Sequence, residues 1–300
     1  MKKSLSKFLS MILIAAMIVT CFTGFTGSTG VSASESAKVF VTICDDTKNM
    51  VVRQQTVDVT DVDKDGTLTI YDTLYCAHEK YYKGGAEAGF AAVEIEGYDG
   101  MSLSKLWGIE NGGSYGYYLN DLAAWSLLDP VADGDYLNAF VYSDTTYFSD
   151  SYAFFDARVY GCNKNKKIKV TLYSYSYDAE WNLVQAPVAN AMIYINGVES
   201  GLVTDENGTV KGVLPPVSGS YLISAASSEA NLVPPSALVF IKPSYNEEII
   251  VNGLKYTVIK KGSFAGKMGK VTLSKATVGD KKIPKTIDYA GITYKVKVVD

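Results

Sequence analysis

The sequence predicts an α+β domain at the N-terminal side, followed by an all-β sandwich and a short β module. In residues 38–161, one helical pattern stands between two pairs of strand-like runs. Residues 166–243 contain six strand-like runs, and residues 250–300 contain three more. Proline marks the change between the first two segments, because only one proline precedes residue 187 and six lie within 187–243.

The first segment is expected to place its helix between the two pairs of strands. The apolar side chains that recur at helical spacing on one face are Ile70, Leu74, Ala77 and Tyr81. Thr69 is the expected N-cap, with Asp72 three residues later, and the pair Gly84-Gly85 is expected to end the helix. The strands are expected over residues 38–43, 50–60, 115–120 and 135–142.

The second segment alternates apolar and polar residues in short runs, as the strands of a sandwich do. These runs cover residues 167–177, 191–195, 201–204, 209–214, 220–225 and 237–241. The hydrophilic stretch 161–167 is interpreted as a linker between the first two segments. The runs of the third segment cover residues 254–260, 270–273 and 293–299, and the last of them stops inside a strand-like pattern, which raises the possibility of a truncated chain.

The first 33 residues have the pattern of a secretory signal peptide. Lysines precede the apolar run 8–20, and Val31-Ser32-Ala33 offers small residues before a cleavage point. The sequence therefore predicts a secreted or cell-surface protein with no integral membrane span after cleavage. Cys21 leaves a lipoprotein as the alternative.

The residue composition narrows the chemistry. The chain has 22 tyrosines and one histidine, His78, so a site built from several histidines is excluded. A lone helical histidine is interpreted as a packing or surface residue, and no catalytic residues are predicted. The three cysteines that remain after cleavage allow at most one disulfide, for which Cys44 and Cys162 are the expected pair, with Cys76 left over. No feature indicates nucleic-acid binding.

One motif carries metal chemistry. Residues 61–72 have the spacing of a calcium loop, with a glycine at the sixth position for the sharp turn. Calcium prefers six to eight hard oxygen ligands, and this spacing wraps such ligands around one point. The predicted ligands are Asp61, Asp63, Asp65, Thr67, Thr69 and Asp72. Calcium is therefore the predicted cofactor, with a structural role between the second strand and the helix.

Residues 38–161 resemble the transcobalamin-like C-terminal domain family of secreted Gram-positive proteins. The similarity rests on the motifs at 69–74, 115–120 and 131–142. It implies a β-grasp-like fold and a ligand-binding role. In the vertebrate carriers this domain covers one face of cobalamin, so the resemblance also offers a corrinoid carrier as the alternative function.

The other two segments also show resemblances. Residues 166–243, with Asn196-Gly197 and the run 203–208, resemble the carboxypeptidase-regulatory-like or collagen-adhesin B-type sandwich, which implies a spacer module of surface proteins. Residues 252–300 resemble the lead-in to leucine-rich repeats of bacterial surface proteins.

Flat aromatic side chains beside an amide can stack on a sugar or ring ligand. The candidates for such a ligand face are Tyr115, Tyr117, Tyr118, Asn120 and Trp125. Alternate residues of this run could instead fill the core of the sheet. The leading prediction is a non-catalytic secreted or surface protein that binds or adheres to an extracellular partner, either a glycan, a wall polymer or a small molecule. A carbohydrate-active enzyme component is the third possibility.

Overall fold

A computed structural model describes residues 36–177, 183–213, 217–274, 278 and 282–299. The predicted signal peptide lies outside the described residues. Within them the chain is mostly β-sheet, with several separate sheets and two helices. The expectation of a strand-dominated protein is confirmed, whereas the β-grasp assignment of the first segment stays a prediction.

The first sheet is mixed and has five strands in the order β2-β1-β7-β5-β6. Its strands are β1 (Ser36–Cys44), β2 (Met50–Thr60), β5 (Tyr115–Leu119), β6 (Leu122–Ala123) and β7 (Tyr136–Val141). β1 and β7 run parallel, and the other neighbours are antiparallel. A two-stranded hairpin, β3 (Ala91–Glu94) with β4 (Met101–Lys105), forms in the stretch for which no strand is predicted.

One face of this sheet packs against helix α1 (Ile70–Tyr81), which is followed by the short helix α2 (Gly85–Gly89). In β2, Val57 and Val59 are buried while Asp58 and Thr60 are exposed, because successive side chains of a strand point to opposite faces. Ile70, Leu74 and Ala77 of α1 are fully buried against those valines. The predicted helix is confirmed, although it ends at Tyr81, before the two glycines.

Two further sheets enclose the second core. One of these two sheets contains β8 (Ser151–Phe155), β10 (Lys167–Tyr177), β11 (Leu183–Pro187), β14 (Thr209–Val213) and β16 (Leu232–Val233). The second contains β9 (Val159–Asn163), β12 (Met192–Ile195), β13 (Val198–Val203), β15 (Gly219–Ala226) and β17 (Ala237–Lys242). Buried side chains from both sheets, such as Leu172 and Val239, fill one core, which is the arrangement of a β-sandwich.

The change from the first sheet to the second core falls near residue 150, before the stretch predicted as a linker. β8 pairs with β10, and β9 pairs in parallel with β17. The interpretation of 161–167 as a linker is wrong in its first half, because residues 161–163 belong to β9. Gly161 allows the Phe264 ring to lie directly over this strand. The division into domains at 38–161, 166–243 and 250–300 stays a prediction.

A fifth sheet follows at the C-terminal side, in the order β18-β19-β20-β22-β21. Its strands are β18 (Glu248–Val251), β19 (Leu254–Lys260), β20 (Gly269–Ser274), β21 (Thr286–Tyr289) and β22 (Ile292–Val299). It has its own small core, in which Tyr256 and Tyr294 are the largest buried side chains.

The three cysteines in the described part of the chain are free thiols, so the expected pairing of Cys44 with Cys162 is not formed. Cys44 is buried at the end of β1, and its burial, together with the nearby charge of Asp45, raises the pKa of its thiol to about 12, against an opposing effect of Lys48. Within the described residues, no helix is both long and apolar enough to cross a membrane.

Candidate calcium site and aromatic face

The predicted calcium loop lies between the end of β2 and the start of α1. Carboxylate oxygens of Asp61, Asp63 and Asp65 lie within 4.8 Å of one another. Asp63 and Asp65 are exposed, and Asp61 is half-buried. The structure therefore brings together the three predicted ligands at the first, third and fifth positions of the loop.

Backbone N–H groups hold two of these carboxylates in place. Asp61 accepts hydrogen bonds from Lys64 N at 2.7 Å and from Gly66 N at 2.9 Å, and Asp65 accepts one from Thr67 N at 2.7 Å. Gly66 has a φ of +90°, a conformation that side-chain-bearing residues rarely adopt. The glycine at the sixth position thus makes the turn that the sequence pattern predicts.

The loop environment shifts the pKa values of two carboxyl groups in opposite directions. Desolvation raises the pKa of Asp63, and the charges of Asp72 and Asp65 add to that effect against one backbone hydrogen bond. For Asp61, desolvation is outweighed by the hydrogen bonds from Gly66 and Lys64, so its pKa lies below the ordinary value. A cation at this point would relieve the crowding of negative charge around Asp63.

Asp72, at the twelfth loop position, is 0% exposed and is the third residue of α1, whose N-cap is Thr69. Its Oδ1 accepts from Val62 N at 2.8 Å, and its Oδ2 accepts from Thr69 N and Thr69 Oγ1 at 2.9 and 2.8 Å. Asp72 N donates back to Thr69 Oγ1 at 3.3 Å, which completes a capping box. The hydrogen bonds of Thr69 and Asp72 therefore fix the loop to the start of the helix, on the buried side of the loop.

The donor set fits a hard divalent cation. Three carboxylates converge at the exposed side of the loop, and oxygen is the donor atom that calcium prefers. The carbonyl of Thr67 follows directly in the chain, while Asp72 and Thr69 have their side chains engaged in the cap. Asp61, Asp63 and Asp65 are the residues that would hold the ion.

The five residues predicted to form one ligand-binding surface do not lie on the same side of the sheet. Tyr115 and Tyr117 point toward the first core and pack against it. The Tyr115 hydroxyl lies 2.8 Å from the carbonyl oxygen of Ser104 and 2.9 Å from that of Ile109, and its one hydrogen is shared between these two acceptors. Burial raises the pKa of both phenols. These two tyrosines are partly buried and pack on the core, which is the alternative that the strand periodicity offers.

The other three candidates lie in different surroundings. Tyr118, on the opposite face of β5, stacks on Tyr152 with ring centroids 3.8 Å apart. Asn120 has a φ of +52°, and its side chain donates to Asp135 Oδ1 at 2.8 Å and accepts from Tyr136 N at 3.0 Å. Trp125 is 90% exposed, so it is the aromatic candidate that a partner can reach most readily.

A buried polar and aromatic cluster joins the first sheet to the second core. We call the side chains of Asp121, Asn138, Tyr152 and Arg158, with the stacked ring of Tyr118, the aromatic junction. The Tyr152 hydroxyl donates to Asp121 Oδ1 at 2.8 Å and lies 2.8 Å from the Asn138 amide. The Arg158 guanidinium forms an ion pair with Asp121 and lies over the Tyr136 ring, 5.4 Å from its centroid.

The sequence contains almost no signal for this junction, because its members come from three strands and two turns. The high number of tyrosines in this part of the sequence is its one indication. Tyr118, Tyr173 and Tyr175 all pack against the buried cluster that contains Tyr152.

His78 is a packing residue. Its Nδ1 lies 2.7 Å from Leu74 O, and its Nε2 accepts from Trp107 N at 3.1 Å. The ring is buried among Tyr82, Phe90 and Trp107. Burial lowers the pKa of His78 to about 4, with a smaller opposing effect from the hydrogen bond to Leu74. The imidazole is therefore neutral at ordinary pH.

Comparisons with known proteins give little guidance. A scan of protein families finds no match, and no curated protein matches the sequence. The fibronectin(III)-like modules of Clostridium thermocellum CbhA align over 54% of this chain and 100% of their own, at 10% identity and a TM-score of 0.24. The N-terminal four Ig domains of Dscam1 isoform 7.44 align over 73% of this chain and 47% of their own, at 12% identity and a TM-score of 0.20. Because these TM-scores are low, the likenesses place the chain in no family.

Proposed function

We propose that this chain is a non-catalytic extracellular binding or adhesion protein whose first domain is stabilised by calcium. The observation that carries the proposal is the convergence of Asp61, Asp63 and Asp65 within 4.8 Å at the loop that leads into α1. The secretion pattern of residues 1–33 supports an extracellular location. The transcobalamin-like resemblance, and with it a corrinoid ligand, stays a prediction from short motifs.

Calcium would stabilise this domain by neutralising repulsion that the fold creates. Two like charges about 4 Å apart repel by about 1 kcal/mol in water, and three carboxylates form three such pairs. The loop is tied to the helix through Asp72, which accepts from Val62 N at 2.8 Å. An ion held by the loop would therefore restrain the start of α1 and the core that α1 covers.

The partner would contact an exposed aromatic surface of this same domain. Trp125 and Leu122 lie on the exposed side of β6 and the loop after it, and both are exposed. Tyr98 is also exposed, at the tip of the β3–β4 hairpin. Ser126 Oγ accepts from Met101 N at 3.0 Å, which brings the hairpin next to Trp125. Exposed aromatic rings of this kind suit a glycan or wall polymer.

The calcium part is tested by isothermal titration and by thermal unfolding of the purified protein in calcium and in EDTA. We expect one ion per chain, with stability higher by about 2.7 kcal/mol when free calcium is 100 times its dissociation constant. The double variant Asp61→Asn, Asp65→Asn should lose both effects. Asp205→Asn is the matched control, because Asp205 is an exposed aspartate in a different turn, where it accepts hydrogen bonds from the backbone N–H groups of Asn207 and Thr209. Equal unfolding temperatures in calcium and EDTA would contradict the proposal.

The binding part is tested by co-sedimentation with purified insoluble Gram-positive cell wall. We expect the wild-type protein to sediment and Trp125→Ala to stay in solution, with stability changed by less than about 0.5 kcal/mol, because the side chain is on the surface. Tyr245→Ala, which removes an exposed ring after β17, serves as the control and should sediment normally. A wild-type protein that stays in solution rules out the wall as partner.

A further inference from the structure

A lysine from the loop between β1 and β2 and an asparagine just before β16 meet beside a buried carboxylate. Lys48 lies in the loop between β1 and β2, and its Nζ contacts Asn231 Oδ1. The same Nζ donates to Leu232 O at 3.1 Å and lies 3.9 Å from Asp150 Oδ1. The Lys48 side chain is 27% exposed and that of Asp150 is 1% exposed. An amine, a carboxamide and a carboxylate thus converge from distant parts of the chain.

The backbone holds both partners in position. Lys48 has a φ of +64°, and its N–H donates to Asp45 O at 3.0 Å. The Asp45 carboxylate accepts from Asn49 N at 2.9 Å, which closes the loop around Lys48. On the other side, Asn231 O accepts from Ser151 N at 2.8 Å, so Asn231 is fixed next to Asp150.

The side chains around Asn231 orient its amide for attack. Asn231 Nδ2 donates to Ser149 Oγ at 3.1 Å, so the amide nitrogen points away from the amine toward an exposed serine. Asp150 Oδ1 accepts from Ser143 Oγ at 2.8 Å, and its Oδ2 accepts from Asp144 N at 2.9 Å. Asp150 is therefore held rigidly on the Lys48 side of the amide.

We propose that Lys48 and Asn231 join in an intramolecular isopeptide bond, with Asp150 as the group that moves the proton. The unprotonated Lys48 Nζ attacks Asn231 Cγ and forms the new C–N bond. Asp150 accepts the proton that Nζ loses and returns it to Nδ2, the Cγ–Nδ2 bond breaks, and ammonia leaves past Ser149. One amine and one primary amide become one secondary amide and ammonia, with no change of oxidation state.

Burial favours the reactive form of the lysine. Desolvation lowers the pKa of Lys48, and the charges of Asp150 and Cys44 oppose this without reversing it. The bond needs neither calcium nor an extracellular partner, so it is independent of the proposed function. The competing interpretation is a hydrogen bond with an ion pair, in which Lys48 and Asn231 keep their own side chains.

Mass spectrometry of the purified full chain separates the two interpretations. The isopeptide bond lowers the intact mass by about 17 Da, the mass of one ammonia. It also blocks trypsin at Lys48 and joins the peptide 39–53 to the peptide 212–255, since cleavage does not occur between Lys242 and Pro243. Linear peptides that carry unmodified Lys48 and Asn231 would overturn the proposal.

Variants test the assigned roles. Lys48→Arg and Asp150→Asn should both lack the branched peptide, and circular dichroism should show that Lys48→Arg still folds. Lys164→Arg is the matched control, because Lys164 is 28% exposed and pairs with the carboxylate of Glu247 at 3.1 Å. It should keep the branch fully. A branch that persists in Lys48→Arg, or that forms fully in Asp150→Asn, would overturn the proposal.

Discussion

The acidic loop 61–72, which is the predicted calcium loop, and the aromatic junction are two polar clusters at the edges of the first core. The polar groups of the loop all come from residues 61–72, and of its three converging carboxylates those of Asp63 and Asp65 are exposed and that of Asp61 is half-buried. The groups of the junction come from residues 121, 138, 152 and 158 and lie where the first sheet meets the second core. The loop gathers like charges, whereas the junction pairs Arg158 with Asp121 and covers both with aromatic rings.

The two clusters offset the free-energy cost of polar groups near a core in different ways. Exposed like charges repel one another, so the stability of the loop should depend on a cation and on salt. The junction satisfies its buried groups with one another, so its stability should depend on packing and be indifferent to calcium. Each cluster can therefore be disturbed separately.

The largest effect is expected at the junction. Tyr152→Ala removes a buried ring that stacks on Tyr118 and a hydroxyl that donates to Asp121 at 2.8 Å. We expect a loss of about 4 kcal/mol in the free energy of unfolding, because the truncation leaves a cavity and unpaired polar groups. Urea denaturation should give the same loss in calcium and in EDTA.

Tyr152→Phe provides the control, because it keeps the ring and should cost only about 1 kcal/mol. If the loss in the free energy of unfolding of Tyr152→Ala appeared in calcium but not in EDTA, the junction and the loop would not be independent, and the comparison would fail.

A smaller effect is expected from pH at the helix that starts at the calcium loop. The pKa of His78 is lowered to about 4 in the folded protein, against 6.5 for the free side chain. The unfolded chain therefore binds the proton first, and stability is complete above about pH 6.5 and falls as the pH drops toward 4. We expect a loss of about 2 kcal/mol between pH 7 and pH 5.

The measurement is urea denaturation at several pH values in EDTA, with imidazole resonances followed by NMR. The assignment is unambiguous because His78 is the one histidine of the chain. His78→Gln, which carries no titrating group, should remove most of the pH dependence in this range. An imidazole that titrates near 6.5 in the folded protein would refute the assignment.

The sequence was informative where a structure is made by neighbours in the chain. Helix α1 follows from the spacing of Ile70, Leu74 and Ala77, and its capping box follows from Thr69 and Asp72, because these groups interact within one turn. Gly66 likewise marks the turn of the acidic loop. Such features need no knowledge of the rest of the fold.

Contacts between residues that are far apart in the chain could not be predicted from the sequence in the same way. The tyrosines of β5 could be assigned to alternate faces, yet nothing local indicates that Tyr118 meets Tyr152 while Trp125 stays in solvent. β9 was missed because its second half opens the hydrophilic stretch 161–167 and its partner β17 lies far along the chain. The meeting of Lys48 with Asn231, which are 183 positions apart, has no sequence signature at all.

The position of the Lys48–Asn231 contact has a mechanical consequence. A tensile force applied between β1 and β22 enters the molecule through residue 48 and can cross directly to residue 231. The calcium loop, Trp125 and the aromatic junction all lie between these two positions. A covalent bond there would carry the load past them, so the protein would be stretched without its ion site or its exposed aromatic surface being unfolded.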